Sequence, residues 1–274
     1  MLKAYSFDVD SNLFFTDTTI YLEKLLPNGT RSKVEVSQKE YEVLIHNTEK
    51  YRHVHGDIEQ SMVNFKRPWA YEKAIFDAIS KEQFWPSYPK YIEAIRSASP
   101  IQKNTARGNS VQEIKATDKR IIHEVLTNSH REDLVYSMKE RLWNYKKNDD
   151  YYINEFLNNN LDAPCSNTAF LKSIHKKLSD SMSSRKNAAF EQFVVHIKKI
   201  FSQYYGDHFL NKRKIRLGFS DDTYKNIEWL HHFIYTEGSW LMRKYPEVLF
   251  RLYDTGKMTL APKKISYKNH DEEM

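Results

Sequence analysis

Short apolar runs with strand character alternate along this chain with longer segments that have helical spacing. Runs of this kind occur at 4–9, 214–222 and 248–254, and amphipathic helical patterns lie between them. Helices between successive strands supply the crossovers that parallel strands need, and parallel sheets are covered by helices on both faces. The order of elements therefore predicts an α/β fold with a three-layer, Rossmann-like parallel sheet.

The stretch after the first strand carries the pattern of a β-hairpin. T-I-Y-L-E-K-L at 19–25 and S-K-V-E-V-S at 32–37 alternate apolar and polar residues, and P-N-G-T between them supplies turn residues. From residue 40 to about residue 98 the pattern is helical, with a break at 84–89. A hairpin followed by helices is therefore expected before the next strand of the sheet.

These patterns also predict how the chain divides into a core and added segments. We assign 37–89 to a mostly helical, cap-like insertion and 269–274 to a disordered tail. The core then comprises 1–36 and 90–268. Within it, 126–180 is polar and rich in Asn and Lys, so its fold is not predicted and a second insertion stays open.

Composition argues against membrane helices and disulfide bonds. Mean hydropathy is −0.72, and no apolar run approaches the ~18 residues of a membrane-spanning helix. A single cysteine, Cys165, cannot form an internal disulfide, which suits a reducing compartment. The first residues, M-L-K-A-Y-S-F-D, lack the charged, apolar and small-residue order of a signal peptide. We therefore expect a cytoplasmic location and no membrane partner.

Acidic residues stand where two of the predicted strands end. Asp8 and Asp10 follow the first strand, Asp221 and Asp222 close the strand at 214–222, and Thr105 follows a short, poorly apolar strand. Ligands bind parallel sheets at the carboxyl ends of their strands. Two pairs of carboxylates can share one place only with a cation between them, and an all-oxygen site of this kind suits Mg²⁺.

Each of these residues also has a purely structural explanation. Two acids after an edge strand are common as a solvated turn, and Thr105 can be an ordinary helix cap. Arg107 and Gly108 can form a turn before a helix. Acids at the ends of two separate strands are what favours a functional site over these alternatives.

Four segments in the same order resemble the motifs of the haloacid dehalogenase superfamily. D-V-D-S-N-L-F resembles its first motif, Asp-x-Asp-x-Thr at the end of the first strand, and T-A-R-G-N-S resembles the second motif in its Thr-Ala-Arg-Gly form. Lys186 opens the helix before the last motif strand, where the family places a lysine, and G-F-S-D-D-T-Y-K-N resembles the fourth motif. The resemblance covers roughly 4–18, 90–125 and 186–230, and leaves out 37–88 and 126–180.

The resemblance implies phosphoryl transfer in two steps through an aspartyl-phosphate. By position, Asp8 is the nucleophile, and Asp10 is the general acid to the leaving oxygen and then the base for water. Mg²⁺ is expected on Asp8, Asp221 and the Asp10 backbone carbonyl, while Asp222 assists the metal or orients Lys186.

The same resemblance implies a set of phosphate contacts. Thr105, Ala106 and Arg107 are expected to bind the phosphoryl group or substrate, and Lys186 is expected to offset the charge of nucleophile and phosphate. Asn12 stands where the family has Thr; because Asn also donates and accepts hydrogen bonds, we expect it to keep the loop geometry and the contact to substrate. Three other cations lie near Lys186 along the chain: Arg185, Lys198 and Lys199.

Two functions are compatible with these motifs. The first is a Mg²⁺-dependent phosphatase that hydrolyses a phosphomonoester. The alternative is a non-catalytic binding or adaptor protein that keeps the fold and the metal site, which Asn12 and the poorly apolar strand before Thr105 favour. Hydrolysis of a generic aryl phosphate, measured with and without Mg²⁺, separates the two.

The charge of the chain bears on the substrate. Net charge is +6 and the pI is near 9.0. Basic residues near the motifs predict a positive rim around the site: Arg185, Lys186, Lys212, Arg213, Lys214 and Arg216. A phosphorylated small molecule is the default substrate, and such a rim would favour a nucleotide or a nucleic-acid end. The alternative is that these residues form a solvated face.

Overall fold

The computed structural model describes residues 1–14, 16, 18–65, 68–210, 214–236, 241–256 and 263–265. Its strands are β1 Leu2–Phe7, β2 Ile20–Leu25, β3 Arg31–Val36, β4 Tyr51–His53, β5 Ile101–Thr105, β6 Leu161–Pro164, β7 Ile215–Asp221, β8 Val248–Asp254 and β9 Lys263–Ile265. Its α-helices are α1 Gln38–Leu44, α2 Ile58–Ser61, α3 Pro68–Ser80, α4 Tyr88–Arg96, α5 Val111–Arg120, α6 Asn128–Leu142, α7 Asp149–Asn159, α8 Thr168–Ser173, α9 Met182–Tyr205, α10 Asp207–Leu210, α11 Tyr224–Tyr235 and α12 Leu241–Lys244. Short 3₁₀ turns lie at Val54–Gly56 and Val63–Phe65, and a π-helical turn continues α5 at Ile121–Val125. The predicted tail at 269–274 lies outside the described residues.

The larger sheet has the strand order β6-β5-β1-β7-β8-β9. The first five of these strands are parallel, and β9 joins β8 antiparallel. Phe7 of β1 is opposite Lys103 of β5 and Ser220 of β7. The predicted α/β fold with a parallel sheet is confirmed. This register brings the carboxyl ends of β1, β5 and β7 to one edge.

Helices cover both faces of this sheet, as the strand pattern predicts. Successive residues of β1 point to opposite sides, so Ala4 packs in one core cluster and Tyr5 in another. The Ala4 cluster contains the apolar faces of α9 and α11, and the Tyr5 cluster contains those of α3 to α7. The strands of the sheet are therefore held between two hydrophobic cores.

The smaller sheet confirms the predicted hairpin and corrects the segment after it. β2 and β3 pair antiparallel from Ile20 opposite Val36 to Leu25 opposite Arg31. The prediction that residues 40–98 are helical outside the break at 84–89 is wrong at β4, which pairs with the other edge of β2. The strand forms there because β2 offers unpaired backbone groups on that edge.

The segment 126–180, whose fold was not predicted, contributes to the main sheet. It contains α6, α7 and α8, and β6 pairs with β5 so that Gln102 is opposite Leu161. The helix predicted at 224–242 ends earlier, at Tyr235. Among the described residues, no helix combines the length and the apolar character needed to cross a bilayer.

Candidate active site at the carboxyl edge of the sheet

A buried lysine joins two of the predicted acids at this edge. Asp8 follows β1 and Asp221 ends β7, and the backbone N–H of Asp8 donates to Ser220 O at 2.9 Å. The ammonium of Lys186, on α9, donates to Asp8 Oδ1 and to Asp221 Oδ2, each at 2.7 Å. The structure thus brings together three residues that the motifs singled out and that lie far apart in the chain.

Burial shapes the charges of this trio. Burial raises the pKa of the Asp8 carboxyl to about 7; the Lys186 ammonium opposes this rise, and the charges of Asp221 and Asp10 add to it. Burial also acts to lower the pKa of Lys186, but Asp221 and Asp8 outweigh it and raise that pKa above its usual value. Lys186 is therefore a permanent cation held between two acids.

A third carboxylate completes the cluster. Oxygen atoms of Asp8, Asp221 and Asp222 all lie within 4.8 Å of one another, and Asp222 is partly exposed. One lysine cannot neutralise three carboxylates at this spacing, so the cluster keeps an excess of negative charge. Carboxylate oxygens are ligands for hard divalent cations. The donor set therefore fits a metal ion at the exposed side of the cluster.

Two further contacts fix the fourth-motif acids, and sequence reasoning missed both. Asn226 donates from Nδ2 to both carboxylate oxygens of Asp221 at 3.1 Å, and the N–H of Thr223 donates to Oδ1 at 2.9 Å. Thr223 and Asn226 both lie in the motif stretch G-F-S-D-D-T-Y-K-N, but no role was predicted for them. At Gly256, a Cβ atom would lie 2.4 Å from the backbone oxygen of Asp222, so only glycine allows this approach.

Asp10 lies apart from the three-carboxylate cluster because Arg107 binds its side chain. Arg107 Nε donates to Asp10 Oδ1 at 3.1 Å and to Oδ2 at 3.0 Å, and Nη2 donates to Oδ1 at 2.6 Å. Thr16 also donates to Asp10 Oδ1, and Arg107 Nη2 reaches Thr18 Oγ1 at 2.8 Å. Arg107 is fully buried. In the structure Arg107 is the ion-pair partner of Asp10, and its predicted contact with substrate stays a prediction.

Asn12 is a buried junction between four segments. Its Nδ2 donates to the backbone oxygens of Asp8 and Ser220, at 2.9 and 3.1 Å, and also contacts Ser220 Oγ at 3.0 Å. Its Oδ1 accepts from Ser87 Oγ at 2.8 Å and from Thr255 Oγ1 at 2.7 Å. Hydrogen bonds to protein groups therefore stabilise the loop geometry expected for Asn12. The same bonds use the polar atoms of the side chain that was predicted to contact substrate.

The second-motif residues end β5 at the same edge. Thr105 is fully buried, and its Oγ1 accepts from the N–H of Arg107 at 3.2 Å. Ala106 is exposed next to it. The neighbouring cations proposed as alternatives to Lys186 point elsewhere: Arg185 donates to Cys165 O at 2.6 Å, and Lys198 pairs with Glu247 at 2.5 Å.

The predicted positive rim is wrong for Lys214 and Arg216. Lys214 and Arg216 lie at the amino end of β7, where Ile215 is opposite Leu2, and Asp221 is at the carboxyl end. Seven residues of strand separate Lys214 from Asp221, which is about 23 Å. Lys214 donates to Pro246 O at 2.7 Å. Lys212 and Arg213 lie outside the described residues.

The chain matches no protein-family model, no curated protein and no solved structure. What the site can do is therefore argued from its own geometry. Its components are a lysine shared by two buried acids, a third acid beside them, and a fourth acid held by a buried arginine.

Proposed function

We propose that this protein is a Mg²⁺-dependent phosphohydrolase with a Rossmann-like sheet, acting on a phosphomonoester through an aspartyl-phosphate. The observation that carries this proposal is the ammonium of Lys186, 2.7 Å from both Asp8 and Asp221, with Asp222 completing a three-carboxylate cluster. Three carboxylates and one ammonium at the carboxyl edge of the sheet suit the joint binding of a metal ion and a phosphoryl group.

Asp8 supplies the nucleophile in this proposal. Lys186 binds its Oδ1, so the attack on phosphorus is assigned to Oδ2, and the bond from phosphorus to the leaving oxygen breaks as Asp10 gives that oxygen a proton. Water then attacks the phosphorus of the aspartyl-phosphate, gives a proton to Asp10, and releases phosphate with Asp8 regenerated. Lys186 remains charged throughout and offsets the negative charge of nucleophile and phosphoryl oxygens.

The metal site is assigned to Asp8, Asp221 and Asp222, with the Asp10 backbone carbonyl as a further proposed ligand. Mg²⁺ in this position would supply charge neutralisation and orient the phosphoryl group. Asn226 and Thr223 prepare Asp221 for that role, because their hydrogen bonds hold its carboxylate before any ligand binds. The proposed substrate is a phosphorylated small molecule or nucleotide.

Hydrolysis of p-nitrophenyl phosphate tests the proposal. Turnover should require Mg²⁺, stop with EDTA, and fall by at least about 10³-fold in Asp8→Asn. The matched control is Asp133→Asn, since Asp133 is an exposed acid paired with Arg96 on the surface. A pure preparation whose activity ignores both EDTA and Asp8→Asn would show that the activity belongs elsewhere and that the proposal is wrong.

The ion pair between Asp10 and Arg107 favours a second candidate, a binding protein that keeps the metal site without turnover. The guanidinium of Arg107 already occupies the side chain of Asp10, and a chain that only binds a ligand does not need that side chain for proton transfer. Binding of Mg²⁺ and beryllofluoride, measured by calorimetry beside turnover, separates the two. Tight beryllofluoride binding that Asp8→Asn abolishes, together with turnover, supports the enzyme; binding without turnover supports the second candidate.

A further inference from the structure

Strand β5 is buried along its whole length, although its sequence, I-Q-K-N-T, is mostly polar. Burying an amide side chain is costly unless its donors and acceptors find partners. Gln102 and Asn104 alternate with Lys103, so their side chains point to the same face of the sheet. Helix α9 covers that face, because both amides donate to it. The polar strand therefore makes specific contacts where an apolar strand would only pack.

Each of the two amides donates to one backbone carbonyl of α9. Asn104 Nδ2 lies 2.9 Å from Lys186 O, and Gln102 Nε2 lies 2.7 Å from Ala189 O. The two carbonyls are three residues apart on one side of the helix, and the two amides are two residues apart on one side of the strand. The intrahelical bond uses one lone pair of each carbonyl and leaves the second for the amide. Two such bonds fix the height and the rotation of α9 on β5.

The acceptor ends of the two amides have partners as well. The hydroxyl of Ser6 donates to Gln102 Oε1 at 2.7 Å, and the thiol of Cys165 donates to Asn104 Oδ1 at 3.2 Å. All four side chains are fully buried. Because the oxygen of each amide is used in this way, its NH₂ group is directed to α9. Ser6 lies in β1, so Gln102 also connects the strand that precedes Asp8 to the helix that carries Lys186.

These contacts bear on the site because Lys186 reaches its acids from a different element. Its ammonium lies 2.7 Å from both Asp8 and Asp221, which follow or end two other strands. The apolar contacts between α9 and the sheet are non-directional and do not by themselves prevent a small slide or rotation of the helix. A misplacement of about 1 Å can cost about 10²-fold in rate. The placement of the Lys186 backbone therefore decides whether the ammonium lies between the two acids.

We propose that Asn104 and Gln102 are positioning residues for Lys186: their amides hold α9 on β5 so that the ammonium stays between Asp8 and Asp221. The expected effect on turnover rests on the phosphohydrolase function proposed above, whereas the effect on the ammonium does not. In this assignment the polar sequence of β5 belongs to the construction of an active site. At the level of sequence the same polar strand favoured the non-catalytic alternative.

The first test removes the donor nearest to Lys186. In Asn104→Ala, kcat for p-nitrophenyl phosphate per folded molecule should fall by about 10- to 10²-fold. In the background of Lys186→Met the same change should alter kcat by less than about twofold, because Asn104 acts through Lys186. A residue with only a structural role would lower the free energy of unfolding and leave kcat per folded molecule unchanged. Equal losses of kcat in both backgrounds would overturn the inference.

The second test observes the ammonium itself and does not depend on turnover. In protein labelled with ¹⁵N in its lysine side chains, the signal of the Lys186 ammonium is identified by its absence from Lys186→Met. That signal should shift, or broaden through exchange with water, in Asn104→Ala and in Gln102→Leu. An unchanged signal in both variants would overturn the inference. If Asn104→Ala does not fold, Gln102→Leu, which keeps a side chain of similar volume, decides by the same two measurements.

The matched control lies near the other end of the same helix. The side chain of Asn159 donates to the hydroxyl of Tyr204, about 27 Å along the helix axis from Lys186. Tyr204→Phe removes this contact of α9 and should keep both the ammonium signal and kcat.

The outcomes separate this inference from the proposed function. If Asp8→Asn leaves hydrolysis unaffected, the phosphohydrolase proposal fails, and the ammonium signal alone decides whether the amides position Lys186. If Asp8→Asn abolishes turnover but Asn104→Ala keeps both the wild-type kcat and the wild-type ammonium signal, only the positioning inference fails.

Discussion

Among the residues that the structure describes, two lysines lie in the interior, and each of them has carboxylates beside it. Lys186 donates to Asp8 and Asp221. Lys103, near the end of β5, donates to Asp118 of α5 and is opposite Asp162 of β6 in the sheet. The two lysines are 6% and 1% exposed, so both ion pairs are almost fully removed from water.

The two clusters differ in charge balance. Around Lys103, the hydroxyl of Tyr91 donates to Asp118 at 3.0 Å. Burial raises the pKa of Asp162 to about 7, Lys103 opposes the rise and Asp118 adds to it, so Asp162 can be neutral. One lysine and one ionised acid then nearly cancel. The pKa of Asp8 beside Lys186 is also raised to about 7, but even with Asp8 neutral two acids, Asp221 and Asp222, remain around this one lysine.

The two clusters also differ in access. Lys103 Nζ lies 5.9 Å from the ring centre of Tyr91, and the fully buried Tyr71 and Tyr91 belong to the core cluster on one face of the sheet. The Lys186 cluster lies at the carboxyl edge, and its third acid is partly exposed. A buried lysine with acids is therefore not by itself a functional site. The Lys186 cluster differs from the Lys103 cluster in two ways: its charge is unbalanced, and one of its acids reaches solvent.

The largest expected effect is on turnover at the Lys186 cluster. Lys186→Met removes the cation that holds two acids and offsets the phosphoryl charge, so kcat should fall by about 10³-fold. The control is Lys198→Met on the same helix, whose partner is Glu247 at the surface; it should retain activity. Hydrolysis of p-nitrophenyl phosphate measures both variants, and activity of Lys186→Met close to that of the wild type would remove the functional distinction between the clusters.

At the Lys103 cluster the main effect should be on stability. Lys103→Met leaves Asp118 without its cation and should lower the free energy of unfolding by about 3–5 kcal/mol, as measured by denaturant titration. The double variant Lys103→Met/Asp118→Asn keeps an acceptor for Tyr91 and removes the stranded charge, so it should lose less than the single variant. The folded fraction of Lys103→Met should keep wild-type turnover per molecule. A loss of turnover comparable to that of Lys186→Met would show that Lys103 belongs to the active site.

The smallest effect concerns pH. The pKa of Asp162 is about 7 in the folded protein, above its usual value near 3.8. Below the lower value both folded and unfolded chains hold the proton, and between the two values only the folded chain holds it. Stability is therefore full at low pH and falls as pH rises through about 7.

Asp162→Asn tests this pH dependence, because it removes the titrating group and leaves the volume nearly unchanged. The free energy of unfolding of the wild type, relative to that of Asp162→Asn, should fall by roughly 1–3 kcal/mol between pH 5 and pH 8. Asp133→Asn, which changes an exposed acid paired with Arg96, serves as the control. Parallel pH profiles for wild type and Asp162→Asn would show that Asp162 ionises in the folded state as it does in water.

Some features followed from the sequence because they depend on strand order and strand ends. Asp8, Asp221 and Lys186 were expected at one place, and the register of β1 with β7 brings the first two together. The hairpin of β2 and β3 followed from local alternation and its turn. The positive rim failed because Lys214 is close to the motif along the chain but at the opposite end of the strand.

Other features depended on side-chain reach and on partners from distant segments. Arg107 looked like a turn residue or a phosphate contact, and no local pattern indicated that its guanidinium would bind Asp10. β4 and β6 are short and weakly apolar, and they become strands because β2 and β5 offer them backbone hydrogen bonds. In such short segments the strand propensity of the residues contributes less free energy than is lost when buried backbone groups stay unpaired.

The choice of Lys186 among the cations near it came from the family resemblance. Sequence by itself determined which acids end the strands and that the strands are parallel with helices between them. These properties follow from periodicity of two and 3.6 residues and from chain order. Only the tertiary structure decided that Asn12 is a junction, that Arg107 pairs with Asp10, and that the clusters around Lys103 and Lys186 differ in charge balance and exposure. The physical reason is that charge balance and access to water depend on what packs around a group in three dimensions, and the chain order does not specify that environment.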